Sequence, residues 1–202
     1  VEGIKDVRRR PTRAELLASA GKTIKDLVAP GLDILFVGIN PGLYTAWAGY
    51  HFARPGNRFW PALHASGLTP RLLHPSEGKE LLALGIGITG FVRRATATAA
   101  ELTDDEYRVG GRRIRALVKR LRPHCVCFLG LTAYRAGFDQ PKAQLGRQPE
   151  SMFGATVWLL PNPSGLNAHF QLADYARLFR EVGKACLSPR GNMRGSSGAR
   201  RA

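Results

Sequence analysis

Cysteine is scarce in this chain, acid is outnumbered, and long apolar runs are missing. The three cysteines, Cys125, Cys127 and Cys186, form no C-x-x-C pair. An odd count without that spacing speaks against a disulfide framework, a zinc ribbon or an iron–sulfur cluster. Cys125 and Cys127 in "CVCFLG" would share one strand face, and buried core thiols are the expectation. No apolar run is long enough to cross a bilayer, and "VEGIKDVRRR" lacks the apolar core of a secretory signal. The expectation is a soluble, intracellular protein, cytoplasmic or nucleoid-associated, with no membrane partner. The histidines show no metal-ligand spacing, so no metal site is expected from them. Acidic residues number 15 against 30 Lys and Arg, a formal net charge of +15. That imbalance points to a polyanionic partner, nucleic acid before an acidic membrane surface.

The positive charge is not confined to the ends. Residues 1–15 and 188–202 are rich in Arg and together carry +6, which leaves +9 on residues 16–187. The reading is a basic flexible extension over 1–15, a single domain over 16–187 working as a monomer, and a flexible basic tail over 188–202. Four short apolar runs read as strands, at residues 33–38, 85–92, 125–130 and 155–161. Helical patterns alternate with them. One begins near Asn57 as cap and stops at Gly67, and one follows Ser76 as cap. One runs from Gly110 to Pro123, a short one follows the third strand, and the last covers 172–186. This alternation argues for an α/β layered domain with a parallel sheet.

Several tempting signals weigh little. Gly85 to Gly90 matches G-x-G-x-x-G, but the glycines lie inside a strand candidate that follows a helix, the reverse of a dinucleotide site. His74-Pro75-Ser76 sits where a helix starts and reads as capping. Asp104, Asp105 and Glu106 suit the positive end of a helix dipole better than a carboxylate pair. His51 and His169 lie on the loops after the first and fourth strands, where either could touch a ligand, but the expectation is a surface histidine at each.

Ligands in parallel sheets bind beyond the carboxyl ends of the strands. Two loops there stand out, "GINPGLYTAWAGYHFARPGNRFW" after the first strand and "PNPSGLNAHF" after the fourth, each pairing Asn-Pro with a following glycine. Asn40 alone would read as a turn residue before Pro41. An amide can neither take a proton nor attack a carbon, but its oxygen can hold a water.

The segments "GINPG" (38–42), "FARPGNRFW" (52–60) and "NPSGL" (162–166) resemble the mismatch-specific uracil-DNA glycosylase and thymine-DNA glycosylase family, with the likeness spanning about residues 30–185. The resemblance implies the uracil-DNA glycosylase fold, a central, mostly parallel four- or five-stranded sheet with helices on both faces. It implies a monofunctional base-excision repair enzyme with no cofactor and no metal. The substrate would be double-stranded DNA holding uracil, and in some members thymine or modified bases, opposite guanine. Asn40 matches the catalytic asparagine. The base pocket would draw on Ile39, Gly42, Thr45, Phe52 as stacking platform and Asn162. The wedge and DNA contacts would come from Pro163, Ser164, Gly165, Leu166 and Asn167. Slow turnover is the expected cost of an amide, and Asn40→Asp is expected to measure it. Two positions depart from the family pattern: Gly90 stands where a lysine is common, and Ala168 where some members carry arginine. A non-catalytic mismatch- or lesion-binding protein on the same fold is the alternative.

Overall fold

The computed structural model describes residues 9–187. The charged stretches at 1–8 and 188–202, read above as parts of flexible tails, lie outside the described residues. Regular structure starts at α1 (Arg13–Leu17), inside the stretch 1–15 set aside as an extension. Thr12 caps it in a reciprocal capping box with Glu15.

Five strands form one sheet: β1 (Ile34–Gly38), β2 (Ile86–Gly90), β3 (Cys125–Leu129), β4 (Gly146–Met152) and β5 (Ala155–Leu160). Their order is β2-β1-β3-β5-β4. The pairs β1–β2, β1–β3 and β3–β5 are parallel, and β4–β5 is antiparallel. The four apolar runs became β1, β2, β3 and β5, each shorter by one to three residues than its run.

β4 is the strand the pattern did not offer. "GRQPESM" is polar, mostly exposed and interrupted by Pro149, at which the register with β5 shifts. Its strand state comes from pairing across a two-residue turn, Phe153 at φ 50° and Gly154 at φ 87°. Positive φ at both positions matches the right-handed strand twist, and Phe in place of the usual Asn hid the signal. A polar edge strand with a proline also resists pairing with other chains.

The remaining helices are α2 (Leu43–Ala48), α3 (Phe59–Ala65), α4 (Glu80–Ala83), α5 (Asp104–Leu121), α6 (Leu131–Phe138) and α7 (Leu172–Cys186). Strand residues alternate between two cores. Leu35, Val37, Val126 and Phe128 pack with α5 and α6, and Ile34, Phe36, Cys127 and Trp158 pack with α3, α4 and α7. Each fully buried Phe or Leu stabilises by about 1.5–3 kcal/mol, and Phe36, Phe59 and Phe179 pack ring to ring at centroid distances of 5.0–5.9 Å.

Three helix starts differ from expectation. α3 has Arg58 as its N-cap, one residue after Asn57, whose Oδ1 accepts from Phe59 N–H at 2.9 Å. α5 begins six residues before Gly110, capped by Thr103 in a capping box with Glu106, and the glycine pair lies buried inside it where α5 packs on α6. The acids at 104–106 do occupy its first turn. At residues 74–77 the cap is His74 rather than Ser76. The His74 ring accepts from Ser76 N–H, and Glu77 returns to His74 N–H at 2.7 Å.

The cysteine expectation is corrected. Cys125, at the start of β3, is bonded to Cys186, at the end of α7, across 61 residues, with a Cα–Cα distance of 5.8 Å. Spacing along the chain could not reveal this, because the packing of α7 on the sheet makes the neighbours. Cys127 is a free buried thiol, and burial pushes its pKa up. Among the described residues no helix is long and apolar enough to cross a membrane.

Candidate active site

The chain crosses from β1 to β2 on one side and returns to β3 on the other, so the carboxyl end of β1 lies at a topological switch point. A cavity of about 390 Å³ opens there. It is lined by Ile39, Asn40, Gly42, Thr45 and Phe52 from the first loop and by Asn162, Ser164, Leu166 and Asn167 from the second. Of the expected site residues, Pro163 and Gly165 are not on its wall. Pro163 is buried and its carbonyl accepts from Arg58 N–H, while Gly165 backs onto Gly56.

Asn40 is held by its nitrogen. Nδ2 donates to Thr96 Oγ1 at 2.7 Å, to Arg94 O at 3.1 Å and to Pro41 O at 3.3 Å. Thr96 Oγ1 spends its own proton on Thr98 O at 2.7 Å, so it can only accept from Asn40. Three acceptors fix which end of the amide is nitrogen. The oxygen has no partner among the described residues and is free to hold a water. The acceptors are themselves anchored. Thr96 is buried and its N–H donates to Pro41 O. Arg94 pairs with Glu106 at the start of α5, and its guanidinium, with Thr103 N–H, holds the Glu106 carboxyl down to about 2.

Phe52 adopts a left-handed backbone, φ 54°, an arrangement that costs about 1 kcal/mol or more for a bulky residue. Packing overrides that cost. Its ring stacks on Phe59 at 4.1 Å and 24°, and it lies so close over Gly38 that a Cβ there would meet Cζ at 3.0 Å. The first glycine of "GINPG" is therefore a seat for the Phe52 ring. Asn162 is oriented the opposite way to Asn40: its Oδ1 accepts from Ser164 N–H at 3.2 Å, leaving Nδ2 as the available end on the cavity wall. Leu166 stands at the rim with 73% of its surface exposed.

A family model of the uracil DNA glycosylase superfamily matches residues 25–183. The chain belongs to that superfamily. Its fold also resembles a solution NMR structure described as a candidate uracil DNA glycosylase from Methanosarcina acetivorans. The TM-score is 0.54 at 19% identity, over 80% of this chain and 98% of that one. The mostly parallel five-stranded sheet with helices on both faces is thus the uracil DNA glycosylase fold.

Several residues of this superfamily member act at the site without a signal in the sequence. Thr96 touches Asn40 across 56 positions. Asp26 lines the cavity, accepts from Thr89 Oγ1 at 2.7 Å and pairs with Arg113 at 3.2 Å. Arg113 also donates to the carbonyl of Gly90, so a cation from α5 stands beside the position that lacks the family's lysine. Burial lowers the pKa of that guanidinium, and Asp26 opposes the shift. His51 is buried, which corrects its reading as a surface residue. Nε2 lies 3.0 Å from Lys25 O and must carry the proton, and desolvation lowers the ring's pKa. His169 and Ala168 are exposed. Among the described residues no group of His, Cys, Asp and Glu could hold a metal ion.

Proposed function

We propose that the protein is a monofunctional uracil-DNA glycosylase that removes uracil from duplex DNA, with G·U mismatches preferred. The observation that carries this reading is the Asn40 amide, whose nitrogen is consumed by three fixed acceptors while its oxygen is left for a water. The base must leave the stack to be reached. Phe52 supplies a stacking face, and Leu166 fills the vacated space as apolar wedges do. Asn162 Nδ2 donates to the leaving pyrimidine as negative charge grows on it. The C1′–N1 bond breaks with its electron pair going to the base. The water held by Asn40 then adds its oxygen to C1′, and its proton leaves to solvent. A positioned water suffices against an oxocarbenium-like sugar, so no strong base is needed. The cavity wall carries Arg54 and Arg93 but no lysine among the described residues, which supports hydrolysis without an amine nucleophile and hence without strand cleavage.

The experiment is a labelled-oligonucleotide panel of G·U, A·U, G·T and single-stranded uracil, read by alkali cleavage, with Asn40→Ala alongside. Release from G·U, faster than from A·U and lost in Asn40→Ala while duplex binding persists, is expected. No abasic product on G·U at stoichiometric enzyme would overturn the reading, and tight mismatch binding in that case would favour the non-catalytic binder.

A further inference from the structure

We infer that Arg58 is a positioning residue that ties the wedge loop to the base pocket, so that opening of the duplex depends on it and bond cleavage of an already unpaired base does not. The inference rests on the glycosylase reading above. Arg58 is the N-cap of α3 and follows Asn57, a cavity-lining residue. Its backbone N–H donates to Pro163 O at 2.8 Å. Its Nη1 donates to Ser164 O at 2.8 Å and to Asn167 O at 3.2 Å. One residue therefore gathers three carbonyls of the 162–167 segment. The two loops meet backbone to backbone beneath it, since a Cβ on Gly165 would lie 2.7 Å from Gly56 O. The far side is held by Tyr175 of α7, which donates to Asn162 O at 2.6 Å and accepts from Asn167 Nδ2 at 3.1 Å.

Between these two clamps Leu166 is left mostly exposed. An apolar side chain can displace a base only if the loop behind it resists being pushed back. Backbone carbonyls bound by a guanidinium give such resistance, because charge-assisted hydrogen bonds are roughly twice as strong as neutral ones. The load reaches the core within one residue: Phe59, next to Arg58, is fully buried and stacks on Phe52. The same helix start thus braces both the platform that receives the base and the loop that expels it. A purely phosphate-binding Arg58 would have no reason to spend its donors on Ser164 and Asn167.

The test uses Arg58→Met and Arg58→Lys in the full chain. Duplex opening is followed by the fluorescence of 2-aminopurine placed beside uracil in a G·U duplex. Cleavage is followed in parallel on that duplex and on uracil held in an unpaired bulge. Loss of two hydrogen bonds from a charged group should slow opening and G·U cleavage by on the order of tenfold to a hundredfold in Arg58→Met. Bulge cleavage should stay near wild type, and the slope of log affinity against log salt should be unchanged. Arg58→Lys keeps the charge but not the fork, so it should fall between the two, and it serves if Arg58→Met fails to fold. Equal losses on duplex and bulge, or an undiminished fluorescence rise, would overturn the inference. So would a salt slope reduced by about one, the mark of a lost phosphate contact. A wild-type protein that releases no uracil from either substrate would defeat the glycosylase reading instead, while the fluorescence arm would still judge the clamp.

Discussion

Asn40 and Asn162 begin the same dipeptide, Asn-Pro, at the ends of two parallel strands, yet they offer opposite ends of their amides to one cavity. Around Asn40 the neighbours are acceptors: the carbonyls of Pro41 and Arg94 and the Thr96 hydroxyl oxygen. They bind the nitrogen and leave the oxygen. Around Asn162 the neighbour is a donor, the N–H of Ser164, which binds the oxygen and leaves the nitrogen. One loop thus presents an acceptor suited to water and the other a donor suited to a developing anion. A side chain's chemistry at a site is set by what its other end is obliged to bind.

The comparison breaks most sharply at Asn40→Asp. A carboxylate there would face two carbonyls with no proton to give, so it would turn away and misplace the water. Activity on G·U at neutral pH is expected to fall about a thousandfold. The neutral acid can replace the amide, its O–H donating where Nδ2 did. The facing carbonyls disfavour the charged form and raise the pKa, so activity should recover as pH falls. Rates measured from pH 5 to 8 decide this, and a variant as active as wild type at pH 8 would refute the acceptor cage. The structure therefore changes what this substitution reports. It tests the fit of the cage before it measures the value of a carboxylate.

Asn162→Asp keeps the bond from Ser164 but replaces the free donor with negative charge beside the leaving base. Single-turnover cleavage should fall about a hundredfold, in the range of a lost oxyanion donor, with duplex binding little changed. A wild-type rate would remove Asn162 from charge stabilisation. The smallest effect on catalysis is expected from breaking Cys125–Cys186. The bridge holds the end of α7, which supports Asn162 through Tyr175, while the acceptors that hold Asn40 are Pro41, Arg94 and Thr96, outside α7. Reductant or Cys186→Ser should cost roughly 2–4 kcal/mol in urea unfolding, with cleavage reduced less than by either asparagine variant. Equal denaturation midpoints with and without reductant would mean that the bridge adds no stability.

Where side-chain pattern controls local structure, the sequence was legible. β1, β2, β3 and β5 are apolar runs because both their faces are covered, and of the three glycines of 85–90, Gly87 and Gly90 lie in β2 while Gly85 makes the turn before it. The two loops converge on one cavity because parallel strands put their carboxyl ends on one edge. β4 escaped notice because its strand state is imposed by β5 and a turn with an unusual first residue. His51 looked like a surface residue because nothing in "GYHF" foretells that Lys25 O will meet its ring.

By itself, the sequence determined the layered fold, the net positive charge and the two Asn-Pro loops, since each depends on residue type and short-range spacing. Tertiary structure decided which end of Asn40 faces the cavity, that Arg113 stands beside Gly90, that Arg58 binds carbonyls of the 162–167 segment and that two distant cysteines are joined. Hydrogen bonds and bridges of this kind link residues 23 to 109 positions apart. Their partners become neighbours only when the sheet orders its strands and the helices close over it.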